Sequence, residues 1–128
     1  MLVRLDTECA ASLAHQLDWR AGGLLSLTVD AAEVSAVLHA DAWQKLAERF
    51  AEARVAGPYR LITFDLALDF AVVGYLAAVT SALAARGVSV YALSAHSRDH
   101  ILVRRDDAAA ARAALEELIA QARRQVDA

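Results

Sequence analysis

The segment that decides the fold is residues 59–105, which read YRLITFDLALDFAVVGYLAAVTSALAARGVSVYALSAHSRDHILVRR. Its first ten residues, 59–68, are rich in strand-forming side chains and follow the chain-breaking pair Gly57–Pro58. The residues after them are apolar, and Asp69 is a favourable N-cap residue at their start. We therefore predict a strand over residues 59–68 and a helix over residues 70–86, which the following glycine ends.

Two further strands and a second helix follow this helix. Residues 88–95, VSVYALSA, have the composition of a strand, and the polar residues 96–99 separate them from HILVRR at 100–105. This spacing predicts a β-hairpin. The pair Asp106–Asp107 then opens a final helix with the pair Arg123–Arg124 near its end, the charge order that the helix dipole favours. The C-terminal half thus reads strand, helix, strand, strand, helix.

The N-terminal half repeats this order in a weaker form. Gly23 and Asp41 occupy the places of the later helix-ending glycine and helix-opening aspartate, at an offset of about half the chain, as a duplication requires. We predict an α+β fold built from a duplicated βαββα unit, with antiparallel sheets that helices cover on one face. The predicted domains are residues 1–56 and 57–128.

A βαββα unit supplies three strands, whereas a ferredoxin-like sheet has four. We expect the missing strand to come from the other half of the chain or from a second chain, and residues 51–58 are the candidate hinge between the halves. The helix over residues 70–86 is apolar nearly all round, which predicts burial on two sides. Either the sister half or the partner in a homodimer covers the second side.

Composition excludes several classes of function. The net charge of −3 and the pI of about 5.7 do not favour nucleic acid as a partner. Cys9 is the sole cysteine, so no intramolecular disulfide can form. Asp6 and Glu8 interrupt the N-terminal apolar residues, and the apolar run at 70–85 is too short for a membrane span. We expect a cytoplasmic protein with no membrane and no nucleic-acid partner.

The segment Leu68–Arg105 resembles the C-terminal unit of tandem ACT-domain proteins, both the compact bacterial pairs and the arginine-sensing CASTOR-type proteins. The matching motifs are D-F-x-x-x-G-x-L-A at Asp69–Ala77, G-V-S-V at Gly87–Val90 and S-x-x-x-x-D-H-x-L-V at Ser94–Val103. The first half resembles the family only in its layout. The resemblance implies a regulatory protein that binds an amino acid at contacts between ACT units, without catalysis. We expect a homodimer and a regulated protein as further partners.

The resemblance and the chemistry of its residues together predict a ligand site formed by two loops. Backbone N–H groups at the junction of strand and helix would favour a carboxylate, and Gly74 would let a ligand approach the backbone closely. Asp99 could accept hydrogen bonds from an ammonium or guanidinium group. The full predicted ligand-binding set is Ser26, Thr28, Asp69, Phe70, Val73, Gly74, Ser94, Ala95, His96 and Asp99.

Other interpretations of these residues are less favourable. Ser94, His96 and Asp99 could suggest a hydrolase, but Ser94 lacks the G-x-S-x-G elbow. His96 and His100 have no Cys or Glu cluster to complete a metal site. We expect no catalysis, no metal and no cofactor. The alternative to an amino-acid sensor is a structural dimerisation or protein-interaction module without a small-molecule ligand, in which Asp99 makes only local hydrogen bonds in its turn.

Overall fold

The computed structural model describes residues 1–20, 22–65 and 73–128. The chain divides into two compact units, Met1–Pro58 and Tyr59–Ala128. Each unit combines helices with an antiparallel sheet, which confirms the α+β class. The predicted duplication and the predicted domain limits stay predictions.

Over residues 1–20 and 22–58, the first unit has four strands and two short α-helices. In chain order these are β1 (Leu2–Leu5), α1 (Ala10–Gln16), β2 (Ser26–Val29), β3 (Val34–Val37), α2 (Ala40–Leu46) and β4 (Arg54–Ala56). The strand order across the sheet is β2-β3-β1-β4, and all neighbours are antiparallel. This is the arrangement of a ferredoxin-like unit.

Strand β4 gives the first unit its fourth strand from within the unit. It pairs with the outer edge of β1, where Leu2 lies opposite Ala56 and Arg4 opposite Arg54. The expectation that the missing strand comes from the other half or from a second chain is therefore wrong for this unit. Strand β4 was not predicted from the sequence because it has only three residues, one of them charged. They lie within residues 51–58, the candidate hinge.

The core of the first unit lies between its sheet and its helices. Alternate residues of the central strands, among them Val3, Leu5 and Val34, project from one face of the sheet, as the two-residue period of a strand requires. Leu13 of α1 and Trp43 of α2 pack against this face. The buried apolar stripe on each helix thus fixes which face of the sheet the helices cover.

The second unit has three strands and two α-helices in the part of the chain that the structure describes. They are β5 (Tyr59–Phe64), α3 (Tyr75–Ala84), β6 (Val90–Ser94), β7 (Asp99–Arg104) and α4 (Ala108–Val126), which is the predicted order. The sheet order is β5-β7-β6, with antiparallel pairs on both sides of the central strand β7.

The core of the second unit lies between β7 and the two helices. Ile101 and Val103 of β7 are fully buried against Leu83 of α3 and Ala111 of α4. Alternate residues on the neighbouring strands, such as Ile62, join this cluster from the same face. The helices therefore cover one face of the sheet, as predicted.

Helix α3 begins later than the sequence suggested. Its first residue is Tyr75, not Phe70, and Gly74 precedes it in the left-handed region with φ +86° and ψ −3°. Gly74 is therefore at the entry to the helix and not in its interior. Asp69, the predicted N-cap, and Phe70 lie outside the described residues, and the cap of this helix is Gly74.

The predicted end of α3 is confirmed. Gly87 has φ +69°, and its N–H donates to the carbonyl of Ala84 at 2.9 Å, while the Val88 N–H donates to Leu83 O at 3.0 Å. These are the two bonds of a Schellman motif. Ala77, on the side of α3 away from the core of its unit, is exposed in the single chain, so the prediction that α3 is buried on two sides stays a prediction.

Candidate functional site

The candidate site lies at the end of the second sheet where β5 and β6 finish and β7 begins. Asp99, the first residue of β7, is paired with Phe64 of β5 and with Ser94 of β6. Residues opposite one another on paired strands share a face, and Ile101 lies on the same face two residues further along β7. The row of Phe64, Asp99 and Ser94 therefore continues the core face of the sheet to its end.

Asp99 and Ser94 form a polar pair in this row. The Ser94 hydroxyl donates to Asp99 Oδ1 over 2.7 Å, and the Asp99 side chain is half-buried. An ionised carboxylate has about four acceptor positions on its two oxygens, so one hydroxyl leaves most of its capacity available. The pair presents an acceptor that a cationic group could use.

Tyr75 and Phe64 stand beside this carboxylate. Burial raises the pKa of the Tyr75 phenol, and the nearby negative charge of Asp99 raises it further. The rings of Phe64 and Tyr75 meet edge to face, with centroids 5.4 Å apart and planes at 86°. Two aromatic side chains thus border the carboxylate on the side of α3.

Gly74 lies directly before Tyr75 in a backbone conformation that favours glycine. Its φ of +86° is one that other residues rarely adopt, and a Cβ placed on it would meet no atom of the described residues within 4 Å. The N–H groups of the first residues of α3 have no partner within the helix, because the first turn lacks preceding carbonyls. The entry to α3 therefore combines a residue without a side chain with backbone amide donors.

The hairpin turn carries the remaining predicted residues of this loop. The Ala95 N–H donates to Arg98 O over 2.9 Å and closes the turn, and both Ala95 and His96 are exposed. Arg98 Nε lies 3.8 Å from Asp65 Oδ1, a loose surface ion pair that links the turn to the end of β5.

The other predicted residues are placed elsewhere or are not described. Val73 is 94% exposed and precedes Gly74. Ser26 and Thr28 lie on β2 of the first unit, on the face of that sheet opposite to the helix-covered one. Asp69 and Phe70 lie outside the described residues. The structure thus brings Ser94 and Asp99 together and sets them close to Tyr75.

Phe64 and Tyr75 are the site neighbours that the sequence did not identify. Tyr75 follows Gly74 directly, but its sequence pattern is that of a core or interface residue. Phe64 is a strand residue whose position opposite Asp99 depends on the register of β5 and β7. The register of β5 and β7 reveals the first contact, and the packing of α3 on Phe64 reveals the second.

An apolar groove adjoins the site within the second unit. It has a volume of about 720 Å³ and lies between the end of β5, the first half of α3 and the second half of α4. Phe64 and Tyr75 belong to its walls, with Leu118 and Ile119 of α4 opposite, and Asp65 and Arg123 add charge to its lining. The groove is of the size usual for small-molecule sites.

The described residues contain neither a cluster suited to a metal ion nor a helix suited to a membrane. In residues 1–20, 22–65 and 73–128, no group of three or more His, Cys, Asp or Glu side chains is placed to hold a metal ion. No helix in the same ranges is long and apolar enough to cross a membrane.

Comparison with known proteins identifies the class to which this fold and site belong. Residues 54–117, half of the chain, match the sequence model of the ACT domain. The chain therefore belongs to the ACT domain family. The match begins at β4 and ends within α4, so it covers the whole polar row at the end of the second sheet.

Solved structures support the fold over nearly the whole chain. Protein Atu0741 from Agobacterium tumefaciens aligns with a TM-score of 0.69 and 23% identity, over 91% of this chain and 80% of that one. VC0802 from Vibrio cholerae, titled a protein of unknown function and possible transport protein, aligns with a TM-score of 0.66 and 24% identity, over 91% of this chain and 82% of that one. No curated protein matches the chain.

Proposed function

We propose that this ACT-domain protein is a non-catalytic regulatory protein that binds a free amino acid at the end of its second sheet. The Asp99 carboxylate would receive the ammonium group of the ligand. The amide groups at the start of α3, next to Gly74, would receive the ligand's carboxylate. A zwitterion suits a site with a carboxylate on one side and amide donors on the other.

The observation that carries the proposal is the position of Asp99. It is half-buried at the first residue of the central strand, on the core face of the sheet, with the Ser94 hydroxyl at 2.7 Å. A partly desolvated carboxylate in such a place binds a cation more strongly than an exposed one does, because the local dielectric constant is lower. Membership of the ACT domain family supports regulatory ligand binding independently.

Binding would regulate by shifting a conformational or assembly equilibrium. A ligand stabilises whichever state it binds more tightly, by an amount equal to its difference in affinity for the two states. The Gly74 junction is suited to such a role, since glycine can change its backbone angles at little cost. We propose that a protein partner reads this change. The assignment of Ser26 and Thr28 to the same ligand site stays a prediction.

A thermal-shift screen with the twenty amino acids tests the proposal. A ligand at a hundred times its Kd adds about 2.7 kcal/mol of stability. At roughly 3 °C for each kcal/mol, the melting temperature should rise by about 8 °C. We expect one or a few amino acids to produce this shift in a dose-dependent way.

Two variants make the screen specific for the site. Asp99→Asn keeps the shape of the side chain and removes its charge, so the shift should disappear. Asp106→Asn makes the same change at an exposed residue of the turn before α4, and the shift should remain. A flat response to all amino acids at millimolar concentration would contradict amino-acid binding and favour the module without a ligand. A shift that survives Asp99→Asn would place the site elsewhere.

A further inference from the structure

Two aromatic rings border the carboxylate at the end of the second sheet. Phe64 lies opposite Asp99 on a paired strand, and side chains in such positions have Cβ atoms about 4.5–5.5 Å apart. The centroid of the Tyr75 ring lies 5.4 Å from that of Phe64, and the two ring planes meet at 86°. Burial raises the pKa of the Tyr75 phenol and the negative charge of Asp99 raises it further, so Tyr75 lies within the electrostatic reach of this carboxylate.

The two rings and the carboxylate are accessible to a small molecule. Phe64, Tyr75 and Asp99 are each half-buried, so each residue keeps part of its surface in contact with solvent. Both rings also belong to the walls of the apolar groove that adjoins the site. Partial burial matters because the attraction between a cation and an aromatic ring is stronger where both are partly removed from water.

Asp99 has no counter-ion among the residues that the structure describes. None of the ion pairs within residues 1–20, 22–65 and 73–128 includes it. Arg98, its neighbour in the chain, lies instead 3.8 Å from Asp65. The hydrogen bond from Ser94 comes from an uncharged hydroxyl group. A cationic group on a ligand would therefore supply the counter-charge of this carboxylate.

We propose that the rings of Phe64 and Tyr75 contact the cationic nitrogen of the ligand together with Asp99, and that the site favours amino acids whose nitrogen is methylated. This role of the rings depends on the amino-acid site proposed above. A ring attracts a cation through its π face and needs no N–H donor. Two rings at right angles form a corner in which one cation can lie over both faces, as in the aromatic cages that bind quaternary ammonium groups.

Methylation of the nitrogen changes the balance between hydration and binding in favour of this corner. It removes the N–H groups that water hydrates, so the cation enters a partly apolar site at lower cost, while its Coulomb attraction to Asp99 remains. The Ser94 hydroxyl already donates to Asp99 Oδ1 over 2.7 Å. The carboxylate thus keeps a hydrogen bond even when the nitrogen of the ligand carries no proton.

A series of ligands that differ only in methylation tests this preference in the full-length protein. Glycine, N-methylglycine, N,N-dimethylglycine and N,N,N-trimethylglycine share one carboxylate and differ in the number of methyl groups on the nitrogen. Titration at up to tens of millimolar, followed by the backbone amide shifts of Tyr75, Ser94 and Asp99, gives the Kd of each. We expect the affinity to rise along the series, by about 3–30-fold from glycine to trimethylglycine.

Variants of the rings show whether they cause this preference. Tyr75→Leu and Phe64→Leu each remove a π face and keep an apolar side chain, so the advantage of trimethylglycine should shrink or vanish. Tyr75→Phe keeps a ring and should retain it. Tyr91→Leu is the matched control, because Tyr91 is also half-buried but lies opposite Leu102, on the face of the sheet away from Asp99. Far-UV circular dichroism checks that each variant folds.

The possible results separate the role of the rings from the site itself. Trimethylglycine that binds no more tightly than glycine, or that fails to bind where another amino acid does, would overturn the role of the rings and leave the amino-acid site in place. So would a preference that survives both leucine variants or that is lost equally in Tyr91→Leu. If neither the glycine series nor any of the twenty amino acids moves these amides, the amino-acid site itself is contradicted.

Discussion

The two units of this chain place different chemistry at the same position of a similar sheet. In the first unit, the row across the end of the sheet is Leu5, Val34 and Val29. The corresponding row in the second unit is Phe64, Asp99 and Ser94. Strand pairing is satisfied in both, so the fold itself does not require a carboxylate at the start of the central strand. The architecture therefore does not account for the polar pair, which is why we propose a functional role for it.

The units also complete their folds in different ways. The first ends its sheet with the short strand β4, whereas the second ends with α4, a helix of 19 residues against seven in α2. Leu115, near the middle of α4, still packs in the core, while Val126 at its end is 84% exposed. In the residues that the structure describes, the second unit thus has three strands where the first has four, and its last helix extends beyond its core.

The largest expected effect comes from placing an aspartate in the first unit at Val34, the position that corresponds to Asp99 in the second. Val34 has no exposed surface, so Val34→Asp would bury a carboxylate without a partner. We expect a loss of about 3–5 kcal/mol in the free energy of unfolding, measured from urea denaturation curves. Val34→Ala, which removes volume without adding charge, is the control and should lose less. A loss below about 1 kcal/mol for the aspartate would show that the two rows are interchangeable.

The next comparison concerns the residues that follow the first helix of each unit, α1 and α3. The turn that follows α3 places Gly87 at φ +69°, whereas α1 is followed by Leu17 in extended backbone. A Cβ on Gly87 would touch nothing within 4 Å, so the cost of Gly87→Ala is conformational. We expect a loss of about 1–2 kcal/mol in denaturation experiments. Gly87→Asn should lose less, because asparagine tolerates this region, and an alanine variant as stable as wild type would contradict the role of the motif.

The opposite substitution, valine in place of Asp99, should stabilise the second unit. Asp99→Val gives the second row the central residue of the first, and we expect a gain of about 1 kcal/mol with loss of amino-acid binding. Urea midpoints and the thermal-shift screen measure the two effects separately. Asp106→Val is the control for a general loss of negative charge. A variant that retains ligand binding would separate Asp99 from the site.

The smallest effect concerns the titration of Tyr75. Burial and the Asp99 carboxylate raise the pKa of Tyr75, so Asp99→Asn should lower it toward its usual value without removing the effect of burial. Absorbance titration near 295 nm, with Tyr75→Phe subtracted, measures this pKa.

The raised pKa of Tyr75 also determines whether stability rises or falls as the pH increases. The folded state holds this proton more tightly than the unfolded state, so its contribution to stability is present below the unfolded pKa of about 10 and is lost as the pH rises through the folded value. Tyr75→Phe should lack the part of the stability loss at alkaline pH that comes from this titration. An unchanged Tyr75 titration in Asp99→Asn would show that the carboxylate is not its neighbour in solution.

Local sequence patterns predicted much of the second unit. The hairpin of β6 and β7 followed from two apolar runs around a polar turn, and the observed strands, Val90–Ser94 and Asp99–Arg104, lie within one residue of the predicted ranges or inside them. Gly87 as the end of α3 followed from its preference for positive φ. The close approach of Ser94 to Asp99 follows from this hairpin.

Long-range pairing decided what the sequence could not predict. Strand β4 has three residues and no alternating pattern, and its identity depends on β1, about fifty residues earlier. The start of α3 was misplaced because apolar residues precede Gly74 without a break in the pattern. Phe64 and Tyr75 became site neighbours only through the register of β5 and the packing of α3.

The measurement that tests the central claim most directly is a titration of the ¹⁵N-labelled protein with each of the twenty amino acids, followed by backbone amide chemical shifts. The account predicts that at least one amino acid shifts the amides of Tyr75, Ser94 and Asp99 in a saturable manner, and that Asp99→Asn abolishes these shifts. If no amino acid moves these amides, or if the largest shifts fall in the first unit, the end of the second sheet is not an amino-acid site.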